Sequence, residues 1–318
     1  MKKNYSNLFK PSKKTISKTI SLLKAKKLVA IPTETVYGLA GNAYSDIAVS
    51  KIYSLKKRPK KNPIIIHYKS LIDSFKDVEI NQNLLKLFKK FCPGPITFVV
   101  KRKKNSKISR YAHNNLETLA IRFPANKITK KILKKIEFPL AMPSANISTQ
   151  ISPVSAEDVY EEFKNKIDLI LDSGRSNIGL ESTVVDVTNN IKILRPGSIG
   201  IKEISKVLGK KVYTAKSPNK IKSPGMLKKH YSPGIPMVIN HNSLPVDGAY
   251  IVLGKKFIKN SNVFSLSISS NLREAAKNLY ITMRKIKNLN YKKIYVAKIP
   301  YKGIGIAIND RLKRASKK

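Results

Sequence analysis

The run KKRPKKNPIIIH, residues 56–67, sets four lysines and one arginine ahead of three isoleucines and a histidine. Such a run either forms a solvated basic surface or uses part of its charge to hold an anion, and its composition alone does not separate the two. Five other segments gather polar residues beside a short apolar run: PTETVYGL at 32–39, AIRFP around Arg122, MPSAN at 142–146, GLESTVVD at 179–186 and RPGSIG at 195–200. Open α/β sheets place their ligands at strand ends, so these segments together could line a site. Each one alone reads as ordinary turn chemistry, because Pro, Gly, Ser and Asn belong in turns. Lys56 and Arg58 also fall at the end of a predicted helix, where any cation is favoured by about 0.3–1 kcal/mol.

The standard cradles are missing. GRSNIG at 174–179 has the glycine spacing of a P-loop, but Leu180-Glu181 follows where Lys-Ser/Thr is required. Neither G-x-G-x-x-G after a strand nor the G-x-S-x-G elbow occurs. His67, His113, His230 and His241 do not pair with one another or with Cys92 at metal-ligand spacing, so a protein-ligated zinc is not expected. Cys92, between Phe91 and Pro93, reads as a small packed side chain, and a single cysteine permits no internal disulfide. A ligand would be handled by scattered loop residues.

The elements that must position those residues alternate through residue 200. Ile16, Ile20 and Leu23 share a helical face ahead of the apolar run LVAI at 28–31. Ser45 or Asp46 caps a helix that turns Ala48, Ile52 and Leu55 inward, and Pro59 ends it. PIIIH, ITFVV, TLAIRF, DLILD, STVVDV and IKIL read as strands, LLKLFKKF and SAEDVYEEF as helices. Several strands are joined by links too short for helical crossovers, which predicts an α/β fold with a mixed sheet. Residues 201–236 read as a linker rich in Pro, Ser, Gly and Lys. Beyond it MVIN, AYIVLG, NVFSLS, the helical LREAAKNLYITMRKI and KIYVAKI predict a second, small α/β unit.

With 318 residues, 42% of them hydrophobic, the chain has enough apolar material for two cores despite a formal net charge of +44. Only ten of its 63 basic residues are arginine. Phosphate recognition favours arginine, which binds phosphate bidentately, so the lysine excess fits a genome-wide codon bias about as well as contact with a polyanion. No stretch approaches the roughly 18 apolar residues that span a bilayer. A cytosolic protein without membrane contact is the expectation.

Taken in order, PTETVYGL, K-x-RP-x-x-NP-I-I-I-H from Lys56 to His67, PGPIT at 93–97, AIRFP, PSAN and GLESTVVD resemble the YrdC/TsaC-like L-threonylcarbamoyladenylate synthases. The likeness covers residues 12–200, and SPGMLKKHYSP at 223–233 is similar to the linker motif of the long, two-domain form. The resemblance implies a YrdC-like twisted, mixed open sheet with helices over 12–200, a linker or lid over 201–236, and a small Rossmann-like α/β domain over 237–318. It also implies synthesis of threonylcarbamoyl-AMP and pyrophosphate from L-threonine, bicarbonate or CO2, and ATP carrying Mg²⁺. A downstream transferase would then pass the threonylcarbamoyl group to adenosine 37 of ANN-decoding tRNA.

By the same resemblance, Lys56, Arg58, Ser144 and Asn146 are the catalytic set. They line the ATP site with Asn62, Thr118, Ser152 and Arg195, and the lid brings His230 or Tyr231 near the nucleotide. Thr35, Tyr37, His67, Arg122, Met142 (through its backbone) and Ser182 form the threonine site. Lys57, Lys60 and Lys61 stay solvated. The sequence departs from the family pattern at Thr149, where glycine is usual, in LDSG, and at Cys92, where tryptophan is frequent. Two other readings remain open: a basic cleft that binds RNA weakly, and a carbamoyl-transfer module. The second is disfavoured by the single cysteine, since that function comes with zinc-finger-like cysteine clusters.

Overall fold

The computed structural model describes residues 5–215 and 230–317. Its larger sheet has eleven strands, in the spatial order Leu8–Phe9, Leu169–Leu171, Val29–Ile31, Gly38–Asn42, Leu140–Ala141, Ile65–His67, Thr118–Arg122, Ile96–Lys101, Thr183–Asp186, Lys192–Arg195 and Tyr213–Thr214. The sheet is mixed. Ile65–His67 runs parallel to Thr118–Arg122 and antiparallel to the strand Leu140–Ala141.

Period-two alternation sorts the side chains onto two faces. Ala30, Leu39, Ile66, Phe98, Ile121 and Val185 face one core, which the helices Asp46–Lys56, Gln82–Phe91, Ala156–Phe163 and Ile201–Leu208 cover. On the opposite face Val29, Ile31, Leu140 and Leu171 pack beneath the helices Lys13–Lys24 and Lys127–Lys134. That face continues across Ile65, Val99, Ala120, Val184 and Leu194, a cluster to which no described helix adds a buried side chain. The registers His67↔Arg122, Thr97↔Arg122, Thr97↔Val184 and Arg195↔Val184 put His67, Thr97, Arg122, Ser182 and Arg195 on this same face. The cleft forms on this half of the face, where no helix among the described residues adds to the cluster.

Helix Asp46–Lys56 delivers the opening run to that cleft. The Ser45 hydroxyl accepts from the Ala48 N–H, which starts the helix, and Lys57 ends it in the left-handed conformation at φ 49°. Pro59 cannot extend the helix. Lys56 therefore stands on the last turn and Arg58 just beyond it.

The expected linker start at residue 201 moves. Helix Ile201–Leu208 buries Ile204 and Leu208 in the core of the first domain, and Tyr213–Thr214 pairs in parallel with Lys192–Arg195. The spacing Ile201, Ile204, Leu208 is helical, but the Pro/Ser/Lys-rich composition of the whole 201–236 stretch hides it. At the other end, Leu8–Phe9 joins the sheet beside Leu169–Leu171, outside the expected 12–200 span. Most of SPGMLKKHYSP lies outside the described residues.

The second domain carries four parallel strands in the order Met237–Ile239, Ile294–Val296, Ala249–Val252, Val263–Ser265, with helices Leu272–Asn288 and Gly305–Ala315. Its core is shared with the first domain: Val36, Ile151, Val154, Leu180 and Tyr231 pack in one cluster with Leu279, Met283 and Ile308. Gly179 explains the second glycine of GRSNIG, because a Cβ there would sit 2.6 Å from Lys277 Cα. The helix backbone approaches that closely, and φ of +78° at Gly179 also favours glycine. Among the described residues no helix is long and apolar enough to cross a membrane.

Candidate active site

The cleft is walled by Thr33, Thr35, Tyr37, Arg58, His67, Arg122, Met142, Ser144, Glu181, Arg195 and His230. Arg58 is buried, with Nε donating to Asn62 O at 2.9 Å and Nη2 to Pro63 O at 2.7 Å. Arg195 is equally buried, and its Nε and Nη2 donate to Ser182 O and Oγ, both at 3.1 Å. Neither is within ion-pair distance of a carboxylate among the described residues. Burial pulls the Arg58 guanidinium down to about 10, with Arg195 adding repulsion. Two buried cations on one cleft, each held by neutral acceptors, leave room for an anion that the protein does not supply.

Lys56 has a different setting from the phosphate contact expected of it. It is 1% exposed and its Nζ donates to Ser144 O at 2.6 Å and to Asn146 O. Its own carbonyl accepts from the Ser148 N–H at 2.8 Å. Lys56 thus grips the 144–148 loop from behind and is not part of the cleft wall. The Asn146 amide faces the same way, its Nδ2 donating to Ile147 O and Gln150 O, so that only Ser144 of this pair lines the cleft.

Of the expected threonine-site residues, Thr35, Tyr37, His67, Arg122 and Met142 meet at the cleft. Thr35 shares a 2.8 Å hydrogen bond with Thr33. The Tyr37 hydroxyl is already occupied, donating to Gly174 O at 2.7 Å and accepting from the Ser173 N–H at 3.2 Å, so the ring rather than the hydroxyl faces the cleft. Arg122 Nη2 is paired with Glu34 at 2.7 Å. Met142 donates its N–H to Ile65 O, and its side chain lies against Gly38, where a Cβ would meet Met142 Cγ at 2.4 Å. Ser182 sits behind the wall, its hydroxyl bonded to Thr97 at 2.7 Å and to Arg195. Its place is to hold Arg195.

Three expected nucleotide residues also lie outside the wall. Thr118 shares the cleft face but is two residues from Ala120, level with Pro63 rather than with His67. Asn62 is 1% exposed, and neither atom of its side-chain amide has a partner among the described residues. Ser152 is fully buried beside the Glu181 carboxylate. In turn, the sequence assigned no role to Glu34 or Glu181, although both lie in the polar segments at strand ends, and gave no sign of Tyr280 or Arg311. Glu34 Oε2 accepts from the N–H groups of Ala125 and Asn126 while Oε1 holds Arg122. Glu181 accepts from Arg311 Nε at 2.8 Å and from the Tyr280 hydroxyl at 3.2 and 3.1 Å, both from the second domain. Burial would push that carboxyl up, but Arg311 and Arg195 beside it bring it down to about 2.

The linker returns to the cleft at His230, which lines it, and at Tyr231, which is fully buried with φ +65°. Thr149, the position where the family favours glycine, has φ +73°, a conformation that costs a β-branched residue roughly 1–2 kcal/mol. Its carbonyl accepts from the Ser232 N–H at 2.8 Å, so the strained residue is a docking point for the linker. Cys92 is half-buried, and burial pushes its thiol up to about 12, which matches a packed, unreactive side chain.

Burial, with nearby arginines, holds His67 well below the ordinary histidine range and His230 at about 3. A depressed folded-state pKa contributes stability that is complete above the unfolded value of about 6.5 and is lost as pH falls toward the folded value. Melting temperature is therefore expected to fall between pH 6.5 and pH 4, and more steeply in the wild type than in His230→Gln. Parallel slopes for the two proteins would remove His230 from this account.

Comparison with known proteins agrees with this geometry. A family model named for Sua5, YciO and YrdC and described as telomere recombination matches residues 21–197, and one described as the threonylcarbamoyl-AMP synthase C-terminal domain matches residues 199–317. The threonylcarbamoyl-AMP synthase of Pyrococcus abyssi is 36% identical over 319 residues, covering 92% of either chain. That of Bacillus subtilis is 32% identical over 328 residues, covering 95% of this chain and 92% of the relative. The crystal structure of P. abyssi Sua5 complexed with L-threonine superposes with a TM-score of 0.88 at 34% identity, covering 98% of this chain and 96% of that one. The chain belongs to the threonylcarbamoyl-AMP synthase family of enzymes, in its two-domain form.

Proposed function

We propose that the protein makes L-threonylcarbamoyl-AMP and pyrophosphate from L-threonine, bicarbonate or CO2, and ATP, as the first step of threonylcarbamoyl modification of tRNA. The observation that carries this reading is the pair of buried guanidinium groups, Arg58 and Arg195, neither within ion-pair distance of a carboxylate among the described residues, on a cleft that also holds Thr35, His67 and Arg122. The names of the two relatives, and the threonine bound in the P. abyssi structure, support the choice of product and substrate.

Threonine's amine and CO2 form a carbamate with loss of a proton. A carbamate oxygen then attacks the α-phosphorus of ATP, the bond from that phosphorus to the bridging oxygen breaks, and pyrophosphate leaves with the electron pair. Such a displacement needs positioning and charge neutralisation rather than a covalent nucleophile. Arg58 and Arg195 neutralise phosphate charge, and Ser144 orients the nucleotide. On the other side, Arg122 shares its charge between Glu34 and threonine's carboxylate, while neutral His67 and Thr35 offer hydrogen bonds to threonine. His230 caps the cleft and keeps water from the mixed anhydride. Among the described residues no three carboxylate, histidine or cysteine groups gather as metal ligands. Mg²⁺ would therefore be held by the ATP phosphates and water, where it would share neutralisation of the triphosphate with Arg58 and Arg195.

The experiment is pyrophosphate release with ATP, omitting threonine and bicarbonate in turn. Release is expected to require both. Release indifferent to either omission would defeat the proposal, and salt-sensitive RNA binding without it would favour the polyanion reading. The downstream transferase and its tRNA substrate are the consumers this product chemistry calls for.

A further inference from the structure

We propose that Arg311 of the second domain is a positioning residue for the anion side of the cleft, acting through Glu181 on Arg195. This rests on reading the Arg58–Arg195 side as the nucleotide site. Arg311 is 1% exposed although it belongs to a different domain from the carboxylate it holds. Its Nε bonds Glu181 at 2.8 Å, its Nη1 bonds Asp310 at 2.8 Å, and its guanidinium lies 4.9 Å from the Tyr231 ring centre. Tyr231 in turn stacks on Tyr280 at 5.9 Å, and the Tyr280 hydroxyl bonds Glu181. Arg314, one turn along the same helix, offers its carbonyl to the His230 N–H at 3.4 Å. One helix of the second domain therefore touches a carboxylate on the cleft wall and both linker residues that close the cleft.

The consequence is electrostatic. Glu181 carries its negative charge onto the wall beside Arg195, the cation that must meet the ligand's anion. With Arg311 behind it, that charge is matched from outside the cleft, and Arg195 stays fixed to Ser182 O and Oγ. Without Arg311, Glu181 is a buried carboxylate whose nearest cation is Arg195. A buried charge left unpaired recruits whatever partner it can reach, so Arg195 turns from Ser182 toward Glu181 and the anion site loses half its charge. The second domain on this account tunes nucleotide affinity, in addition to adding hydrophobic core.

The test compares the full-length wild type with Arg311→Met, Arg311→Lys and the double variant Arg311→Met/Glu181→Gln. Affinity for MgATP is read by calorimetry, and folding by circular dichroism melts. Arg311→Met is expected to weaken MgATP binding about tenfold or more, as for one partner removed from a buried charge pair. Removing the stranded charge as well, in the double variant, is expected to bring affinity back to within about threefold of wild type, and Arg311→Lys to remain in that range. A lower melting temperature with unchanged MgATP affinity for Arg311→Met would overturn the proposal, as would a double variant no better than the single one. If Arg311→Met does not fold, the other two variants decide: both within about threefold of wild type supports the proposal, and either about tenfold weaker overturns it. Wild type that binds no MgATP would instead strike the reading of the cleft itself.

Discussion

Arg58→Ala is expected to lower kcat/KM for pyrophosphate formation by about 10²–10³-fold, the range seen when one fixed donor to developing negative charge is removed. The size of the effect follows from how Arg58 is held. Two of its nitrogens are fixed on the carbonyls of Asn62 and Pro63, so the group cannot swing away to solvent. It is 8% exposed and has no carboxylate partner among the described residues, and burial has already drawn its pKa down to about 10. Arriving phosphate oxygens relieve that cost, so binding energy and charge neutralisation come from the same group. Arg58→Lys should recover only part of the loss, because an ammonium cannot span the two carbonyls and still face the cleft. Lys60→Ala, two residues away on an exposed turn, should stay within about twofold. Kinetics on the three purified variants check this, and equal losses for Arg58→Ala and Lys60→Ala would show that the basic run acts as a diffuse patch.

Only the resemblance to a family motif set Lys56 and Arg58 apart from Lys57, Lys60 and Lys61, and the packing that brings Arg58 to the cleft and turns Lys56 onto the 144–148 loop was not legible in the run itself. Long apolar runs such as ITFVV and PIIIH marked strands dependably, since little but a buried strand uses β-branched residues that densely. GLAGN at 38–42 is also a strand, yet its glycines and alanine carry no such mark; the glycines are required because Met142 presses on Gly38, and Leu28 and Ile52 on Gly41. Helix Lys127–Lys134 and helix Ile201–Leu208 were obscured by lysine, which occupies their solvent faces and lowers the mean hydropathy without disturbing the 3–4 spacing beneath.

At the site, the motifs pointed to Arg58, His67, Arg122, Ser144 and Arg195, which line one cleft, and gave no sign of the residues that reach its wall from the second domain. Arg311 and Tyr280 sit in helices whose sequences look like a core face with a charged exterior. Only the packing of Gly179 against the backbone of helix Leu272–Asn288, and the shared core around Tyr231, turns them inward. Glu181 was visible within GLESTVVD, but nothing local shows that its partner lies 130 residues away. For Lys56, Asn146 and Ser182 the motif gave the neighbourhood correctly and the direction of the side chain did not follow, because a residue one layer behind a wall is as tightly constrained as one on it.

That distinction makes Lys56→Met the second change with a large expected effect, and it separates two roles for one lysine. The substitution keeps the length of the side chain and removes the donors to Ser144 O and Asn146 O. The Asn146 carbonyl loses its donor, at about 1–3 kcal/mol, while Ser144 O keeps only the Asn146 N–H at 3.1 Å. The 144–148 loop, still held by Ala145 N–H on Tyr37 O, Ile147 N–H on Glu162 and Ser148 N–H on Lys56 O, loses the clamp that joins its two halves and shifts. Ser144 and Met142 line the cleft together with the threonine-side residues His67 and Arg122, so a displaced loop alters both halves of the site. Lys56→Met is therefore expected to lower kcat/KM by about 10²-fold, the loss a displacement near 1 Å brings. It should also weaken L-threonine binding in the absence of nucleotide by about tenfold, since a polar site with mispositioned donors discriminates poorly. A lysine that served only as a phosphate ligand would leave threonine affinity untouched. Calorimetric titration of L-threonine into wild type and Lys56→Met, without ATP, reads the difference directly: unchanged threonine affinity beside lost MgATP affinity would return Lys56 to the phosphate, and joint loss places it behind the loop as the geometry does.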